Sequence, residues 1–265
     1  MSFELAFDEA GTGTPLVLLH GFPLSRAMYA AQLAGLADRA HVIVPDLRGF
    51  GDSPGPGDAD PSIDAMADDV AALLDRLDVR TCLLGGLSMG GYVAMAMLRR
   101  HRERITAVVL MDTKASADGD EARANRERVV RAVTEQGSAA LRPMLDSLLG
   151  QTTRQERPGT VDQVTAWLDA VRPDGVAWAQ RAMAARPDSF DTLRDSGVPG
   201  FVIVGEEDEL SPHEDAVAMA QAFVPPAPVY VIPGAGHLSA VDNPDGVTGA
   251  LRDVLRHTKQ SLEID

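Results

Sequence analysis

Cysteine is almost absent: Cys82 stands alone in 265 residues. No internal disulfide can form, and no C-x-x-C pair exists for a metal or for redox chemistry. Flanked by apolar residues, Cys82 reads as a small buried hydrophobe. Positive charge is also short. Against 39 Asp and Glu there are 24 Lys and Arg, for a formal net charge of -15. That argues against a nucleic-acid partner, which calls for a basic stripe, and gives no electrostatic attraction to anionic membranes. No apolar run approaches the length of a membrane span. The opening Met1-Ser2-Phe3-Glu4-Leu5 carries acid where a secretory signal would carry base, so a cytoplasmic protein without a membrane partner is expected. The six histidines are scattered, so no metal site is expected. No Gly-rich loop matches G-x-G-x-x-G or carries a Walker lysine, which disfavours nucleotide binding.

What is present is ordinary in bulk and particular in detail. A hydrophobic content of 45% and a charged content of 24% are usual for a globular chain, and the length suffices for one large α/β domain. The organising stretch runs from Cys82 to Val93. Cys82-Leu83-Leu84 reads as a buried strand, Gly86-Leu87-Ser88-Met89-Gly90 fits G-x-S-x-G, and Val93, Ala94, Met97 and Leu98 continue as a helix. A serine at the apex of so tight a turn is expected at φ > 0. Side chains two positions before and after it would collide, so Gly86 and Gly90 fit. The pattern alone also admits a glycine-rich turn in which Ser88 merely caps the helix; the strand before and the helix after favour a nucleophile.

The remaining chain alternates strands and helices. The first dozen residues suit an edge hairpin. Pro15–His20, His41–Pro45, Ile105–Met111, Gly200–Val204 and Val229–Ile232 are apolar runs of the kind buried in a parallel sheet. Ile63, Met66, Val70, Leu73 and Leu77 recur at helical spacing, with Asp60 or Ser62 available as N-cap and Pro61 acceptable in the first turn. Helices are also expected near His213–Phe223 and Asp245–His257. From Lys114 to Pro187 the alternation stops. Four helical stretches are predicted there, near Asp120–Glu135, Ser138–Leu149, Thr160–Val171 and Asp174–Ala185, with Gly150 as a stop for the second. Each carries an apolar stripe to bury. The prediction is an α/β fold with a mostly parallel central sheet flanked by helices. Its core spans 1–113 and 188–265, with a helical insertion at 114–187.

In open parallel sheets, sites form beyond the carboxyl ends of strands. Four such ends carry chemistry: His20-Gly21-Phe22, Ser88, Asp208 and His237. A serine needs a base for its proton, and that base needs a carboxylate on its other ring nitrogen. The order Ser88…Asp208…His237 is the one expected on such a sheet.

The chain resembles the α/β-hydrolase fold family, in its serine-hydrolase branch with a helical cap. The resemblance rests on His20-Gly21-Phe22, Asp46-Leu47-Arg48-Gly49-Phe50-Gly51-Asp52-Ser53, Gly86-Leu87-Ser88-Met89-Gly90-Gly91, Gly205-Glu206-Glu207-Asp208 and Gly234-Ala235-Gly236-His237, in order from about Pro15 to Leu255. Within the family the elbow and the His-Gly-Phe loop are similar to those of small carboxylesterases and enol-lactonases. The resemblance implies Ser88 as nucleophile, His237 as base and Asp208 as orienting acid, with the Phe22 and Met89 N–H groups as oxyanion hole. It implies no cofactor and a small ester or lactone as substrate. Glu206, Glu207, Asp215 and Asp112 compete with Asp208 for the acid's role. His20 is expected to brace the oxyanion loop, and the Asp46–Ser53 turn to brace backbone.

Trp167, Trp178, Met144, Leu145 and Met183 are candidates for the walls of an acyl pocket. Carbon–carbon bond hydrolysis, perhydrolysis and thioester hydrolysis share the same residues and stay open. So does a small-molecule receptor on this fold with little turnover. Dehalogenase and epoxide hydrolase relatives attack with a carboxylate where this chain has Ser88. Hydroxynitrile lyase relatives add a lysine near the histidine, and neither Lys114 nor Lys259 matches that place.

Overall fold

The computed structural model describes residues 3–262. Seven strands form one sheet: β1 (Phe7–Ala10), β2 (Pro15–Leu19), β3 (His41–Pro45), β4 (Cys82–Leu87), β5 (Ile105–Met111), β6 (Gly200–Gly205) and β7 (Val229–Ile232). Their spatial order is β1-β3-β2-β4-β5-β6-β7. All neighbours are parallel except β1 and β3. β4 and β6 are buried along their whole length, because helices cover both faces and leave no place for polar alternation. The edge strands β1 and β7 are mostly half-buried or exposed.

Helices α1 (Ala30–Leu36), α2 (Ile63–Arg76), α3 (Met89–Arg100), α10 (His213–Ala222) and α12 (Pro244–Leu262) flank the sheet. Strand order runs from β2 outward to β3 and then back to β4. With right-handed crossovers that reversal puts α1 on one face and α2 and α3 on the other. The packing agrees, α1 lying against α12 and α2 against α3. The reversal also opens a crevice between the carboxyl ends of β2 and β4. Among the described residues no helix is long and apolar enough to cross a membrane, and no group of three or more His, Cys, Asp or Glu could hold a metal ion.

Several local expectations are corrected. The first residues do not form a hairpin with the next strand: β1 pairs with β3. The two edges of β2 are already taken by β3 and β4, so β1 reaches the outer side of β3. Helix α1 has no signal in the sequence, because its seven residues Ala-Ala-Gln-Leu-Ala-Gly-Leu carry too short a stripe to show a period. In α2 the N-cap is Ser62, whose Oγ accepts from Asp64 N (3.1 Å) and Ala65 N (3.4 Å), and Pro61 lies before the helix.

Between β5 and β6 the chain does not make four helices. It makes α4 (Asp120–Gln136), a 3-10 stretch (Gly137–Met144), α5 (Leu145–Leu148), α6 (Gln151–Glu156), α7 (Pro158–Ala170) and α8 (Pro173–Ala185), and α9 (Phe190–Asp195) follows. The second predicted helix is 3-10 over Gly137–Met144, with Pro143 inside it, and α only over Leu145–Leu148, ending where Leu149 turns extended (φ -99°, ψ 141°). Gly150 stands before α6 as its N-cap rather than ending a helix. There its N–H donates to Asp242 Oδ2 (3.0 Å).

Candidate active site

The apex of the β4–α3 turn is Ser88, at φ 53° and ψ -112°. L-residues rarely adopt this region, and such strain persists only where the surroundings hold it. Here they do. Ser88 N–H donates to Met111 O (2.9 Å), while its carbonyl accepts from Gly91 N (2.9 Å), Tyr92 N (3.2 Å) and the Thr113 hydroxyl (2.9 Å). The two flanking glycines are enforced by contact. A Cβ on Gly86 would lie 2.1 Å from Gly90 O, and one on Gly90 would lie 2.1 Å from Leu19 O.

His237, beyond β7, turns Nε2 to within 2.8 Å of Ser88 Oγ. Its Nδ1 sits 3.1 Å and 3.0 Å from the two carboxylate oxygens of Asp208. A carboxylate only accepts, so Nδ1 carries the hydrogen and Nε2 is left to accept the serine hydroxyl proton. Asp208 is held in turn, its Oδ1 accepting from Leu210 N (2.9 Å) and Ser211 N (3.1 Å). The competing acids are engaged elsewhere. Glu206 accepts from Gly234 N (3.0 Å), and Glu207 accepts from Thr152 N (2.9 Å) and its hydroxyl. Among the carboxylates of the described residues only Asp208 is hydrogen-bonded to His237.

Asp112 is fully buried at the end of β5, also with positive φ (45°). It joins the end of β6 to the start of α11 (Ser239–Asp242), accepting from Gly205 N (2.7 Å) and the Ser239 hydroxyl. Burial, reinforced by the Asp208 charge, pushes its carboxyl well above the usual range. A group that binds its proton more tightly when folded makes stability fall as pH rises from its unfolded pKa, about 4, through the folded value. Asp112→Asn retains an acceptor for Gly205 N and removes that charge. The variant should therefore be at least as stable as the parent at pH 7, with an advantage that grows from pH 4 to 8 in urea titrations. An advantage that shrinks over that range would contradict the assignment.

His20, fully buried, braces the loop beyond β2. Its Nε2 accepts from Leu47 N (2.9 Å), and Nδ1 lies 3.1 Å from Gly21 O. Both contacts suit the neutral ring, and burial lowers its pKa. The Asp46 carboxylate accepts from Arg26 N (2.8 Å), Asp52 N (2.8 Å) and the Arg26 guanidinium, a bracing network as expected for this turn. Phe22 N–H finds no acceptor among the described residues, and Met89 opens α3, where first-turn donors lack an intrahelical partner. Cys82 is buried in β4, and burial pushes its thiol up to about 12, which leaves it protonated and inert.

Beside Ser88 lies a cavity of about 550 Å³ that is reached by Phe22 and His237. The chain matches the α/β hydrolase fold over residues 14–244. It belongs to the α/β-hydrolase family. It is similar to a thermophilic esterase from Thermogutta terrifontis, solved with malate bound, at 42% identity and a TM-score of 0.92, covering 96% of this chain and 93% of that one. It is also similar to the enol-lactonase from Burkholderia xenovorans LB400, at 26% identity, a TM-score of 0.86 and coverage of 95% and 96%. Among curated proteins, the 2-hydroxymuconate semialdehyde hydrolase of Pseudomonas sp. (strain CF600) is 29% identical over 254 residues, 89% of this chain and 84% of that one.

In this α/β-hydrolase the predicted pocket residues divide. Met144 and Met183 line the cavity, with Leu148 between them in the chain; Leu145, Trp167 and Trp178 do not. Trp178 is turned away on α8, its Nε1 donating to Ala59 O (2.7 Å). Trp167 and Leu145 pack, partly buried, against the core. The sequence reasoning passed over the polar wall: Lys114, Asp118, Asn125, Arg126 and Gln180. Lys114 does not match the place of the hydroxynitrile lyase lysine, yet it and His237 line one cavity. The signal that points to it is its place two residues after Asp112, at a carboxyl end of the sheet.

Proposed function

We propose that the protein is a serine hydrolase of small carboxylic esters or lactones. The observation that carries this reading is the continuous hydrogen-bonded path from Ser88 Oγ (2.8 Å) through His237 to Asp208 (3.0 Å), opening into the cavity. Ser88 attacks the carbonyl carbon while His237 Nε2 takes its proton. The negative oxygen rests on the N–H groups of Phe22 and Met89, the latter at the N-terminus of α3, where the helix dipole favours it. His237 then gives the proton to the departing alkoxide. Asp208 holds the ring and steadies its positive charge. Water, deprotonated by the same ring, releases the acid and restores Ser88. Residues 114–187 act as a cap over the core formed by 1–113 and 188–265, supplying Met144, Leu148 and Met183 as apolar walls that exclude bulk water.

The test is covalent. A fluorophosphonate should add one label per chain, located by peptide mass spectrometry on Ser88, and should abolish hydrolysis of p-nitrophenyl acetate. Hydrolysis that persists after complete labelling would refute the reading. Carbon–carbon bond hydrolysis is a second reading, supported by the similarity to 2-hydroxymuconate semialdehyde hydrolase. A kcat/KM on 2-hydroxymuconate semialdehyde above that on every ester and lactone tried would favour it.

A further inference from the structure

We infer that the substrate carries a carboxylate in addition to its ester or lactone, and that Lys114 is the residue that receives it. The position of the ester rests on the reading of Ser88 as nucleophile; the anion site itself does not.

Lys114 is placed by its neighbours. The Thr113 hydroxyl donates to Ser88 O (2.9 Å), so the backbone reaching Lys114 runs directly behind the serine turn. Lys114 and Ser88 both line the cavity. The lysine is half-buried. It forms no hydrogen bond with another described residue and has no carboxylate within 4.0 Å among them. Asp215 on α10 feels its charge from a longer distance.

The other charges on this wall are already spoken for. Asp118 is buried and bound by two guanidinium groups. Arg186 Nη1 donates to it at 2.7 Å, and Arg126 Nε donates to its other oxygen. Arg126 also donates to Gln180 Oε1 (3.0 Å), and Arg186 lies 3.8 Å over the Tyr92 ring. Asp208 is occupied by His237.

The wall therefore holds two cations, Lys114 and Arg126, against the single lining anion Asp118, and Arg186, buried outside the lining, shares that anion. That is a local excess of positive charge in a chain of net charge -15. Partial burial weakens the hydration of an ammonium and strengthens its attraction for an anion entering the cavity. A neutral ester gains nothing from this arrangement, whereas a carboxylate beside the reacting group completes it. Asn125 and Gln180, on the same wall, supply amide groups that can complete the carboxylate's hydrogen bonds.

The experiment pairs charged and neutral substrates of similar length. Monomethyl glutarate places the carboxylate on the acyl side and 3-acetoxypropionate places it on the alcohol side; methyl pentanoate and propyl acetate are the neutral partners. One anionic member should exceed its neutral partner in kcat/KM, identifying the side. Lys114→Met should lower that ratio by about tenfold or more, chiefly through KM, while Lys114→Arg keeps most of it and the ratio falls with added salt. Binding of the preferred anion to Ser88→Ala, and its loss in Ser88→Ala/Lys114→Met, is read by calorimetry without turnover. If hydrolysis fails but lysine-dependent binding remains, the nucleophile assignment falls and the anion site stands. Ratios near one in the parent, or unchanged by Lys114→Met, would mean that Lys114 only meets solvent, and the inference would be overturned.

Discussion

Ser88→Ala lowers kcat on a p-nitrophenyl ester by about 10⁶-fold, with a residual rate above that of water alone from the oxyanion donors and the cavity. The expectation follows from the geometry rather than from the residue type. Ser88 Oγ is the hydroxyl at 2.8 Å from His237 Nε2, and among the described residues no other group is hydrogen-bonded to that nitrogen. His237 loses its reaction partner with it, so His237→Ala added to Ser88→Ala should cost little more. Such non-additivity marks residues that act as a unit. The fold should survive. Alanine inherits the φ of 53°, so the backbone strain is unchanged, and one hydrogen bond is lost. Unfolding within a few degrees of the parent, together with a collapsed kcat, is the expected pair of results. A variant that kept even a hundredth of the activity would show that another group performs the attack.

Gly90→Ala is the opposite experiment, aimed at the fold beneath the site. The added Cβ would lie 2.1 Å from Leu19 O and 2.9 Å from His20 O. Both are backbone atoms, one in a central strand and one in the loop that presents Phe22, so neither can rotate away as a side chain would. Relief requires α3 to move off β2, and the loss should be about 3 kcal/mol or more, at the upper end of overpacking costs. Any folded fraction would carry a displaced Phe22 N–H and a lowered kcat. Gly249→Ala provides the control. It lies exposed on α12 with nothing within 4 Å of the added carbon, and helix propensity alone should stabilise it by about 0.5–1 kcal/mol. Urea midpoints that move in opposite directions for the two variants would check both. A Gly90→Ala protein as stable as the parent would show that the packing at the turn is looser than these distances require.

The chain order of Ser88, Asp208 and His237, the glycines around the serine and the apolar runs were readable from residues alone. Tight turns and doubly covered strands restrict residue type at short range, and that restriction is written locally. The segment between β5 and β6 was less readable. Pro143 lies in a 3-10 stretch where periodicity suggests one α-helix, and Gly150 is required by Gly236 N and Glu207, atoms about 2.7 Å and 2.6 Å from its absent Cβ. Those neighbours come from loops more than fifty residues away, so no window of sequence contains the reason.

The sequence by itself determined that a serine would stand at a strained turn between a buried strand and a helix, because only glycine fits two positions to either side of it. Tertiary structure alone decided which face of α8 meets the cavity and that Lys114 shares that cavity with Ser88. Distances across a sheet depend on strand order and on how helices pack over it, and neither is encoded in the spacing of residues along the chain.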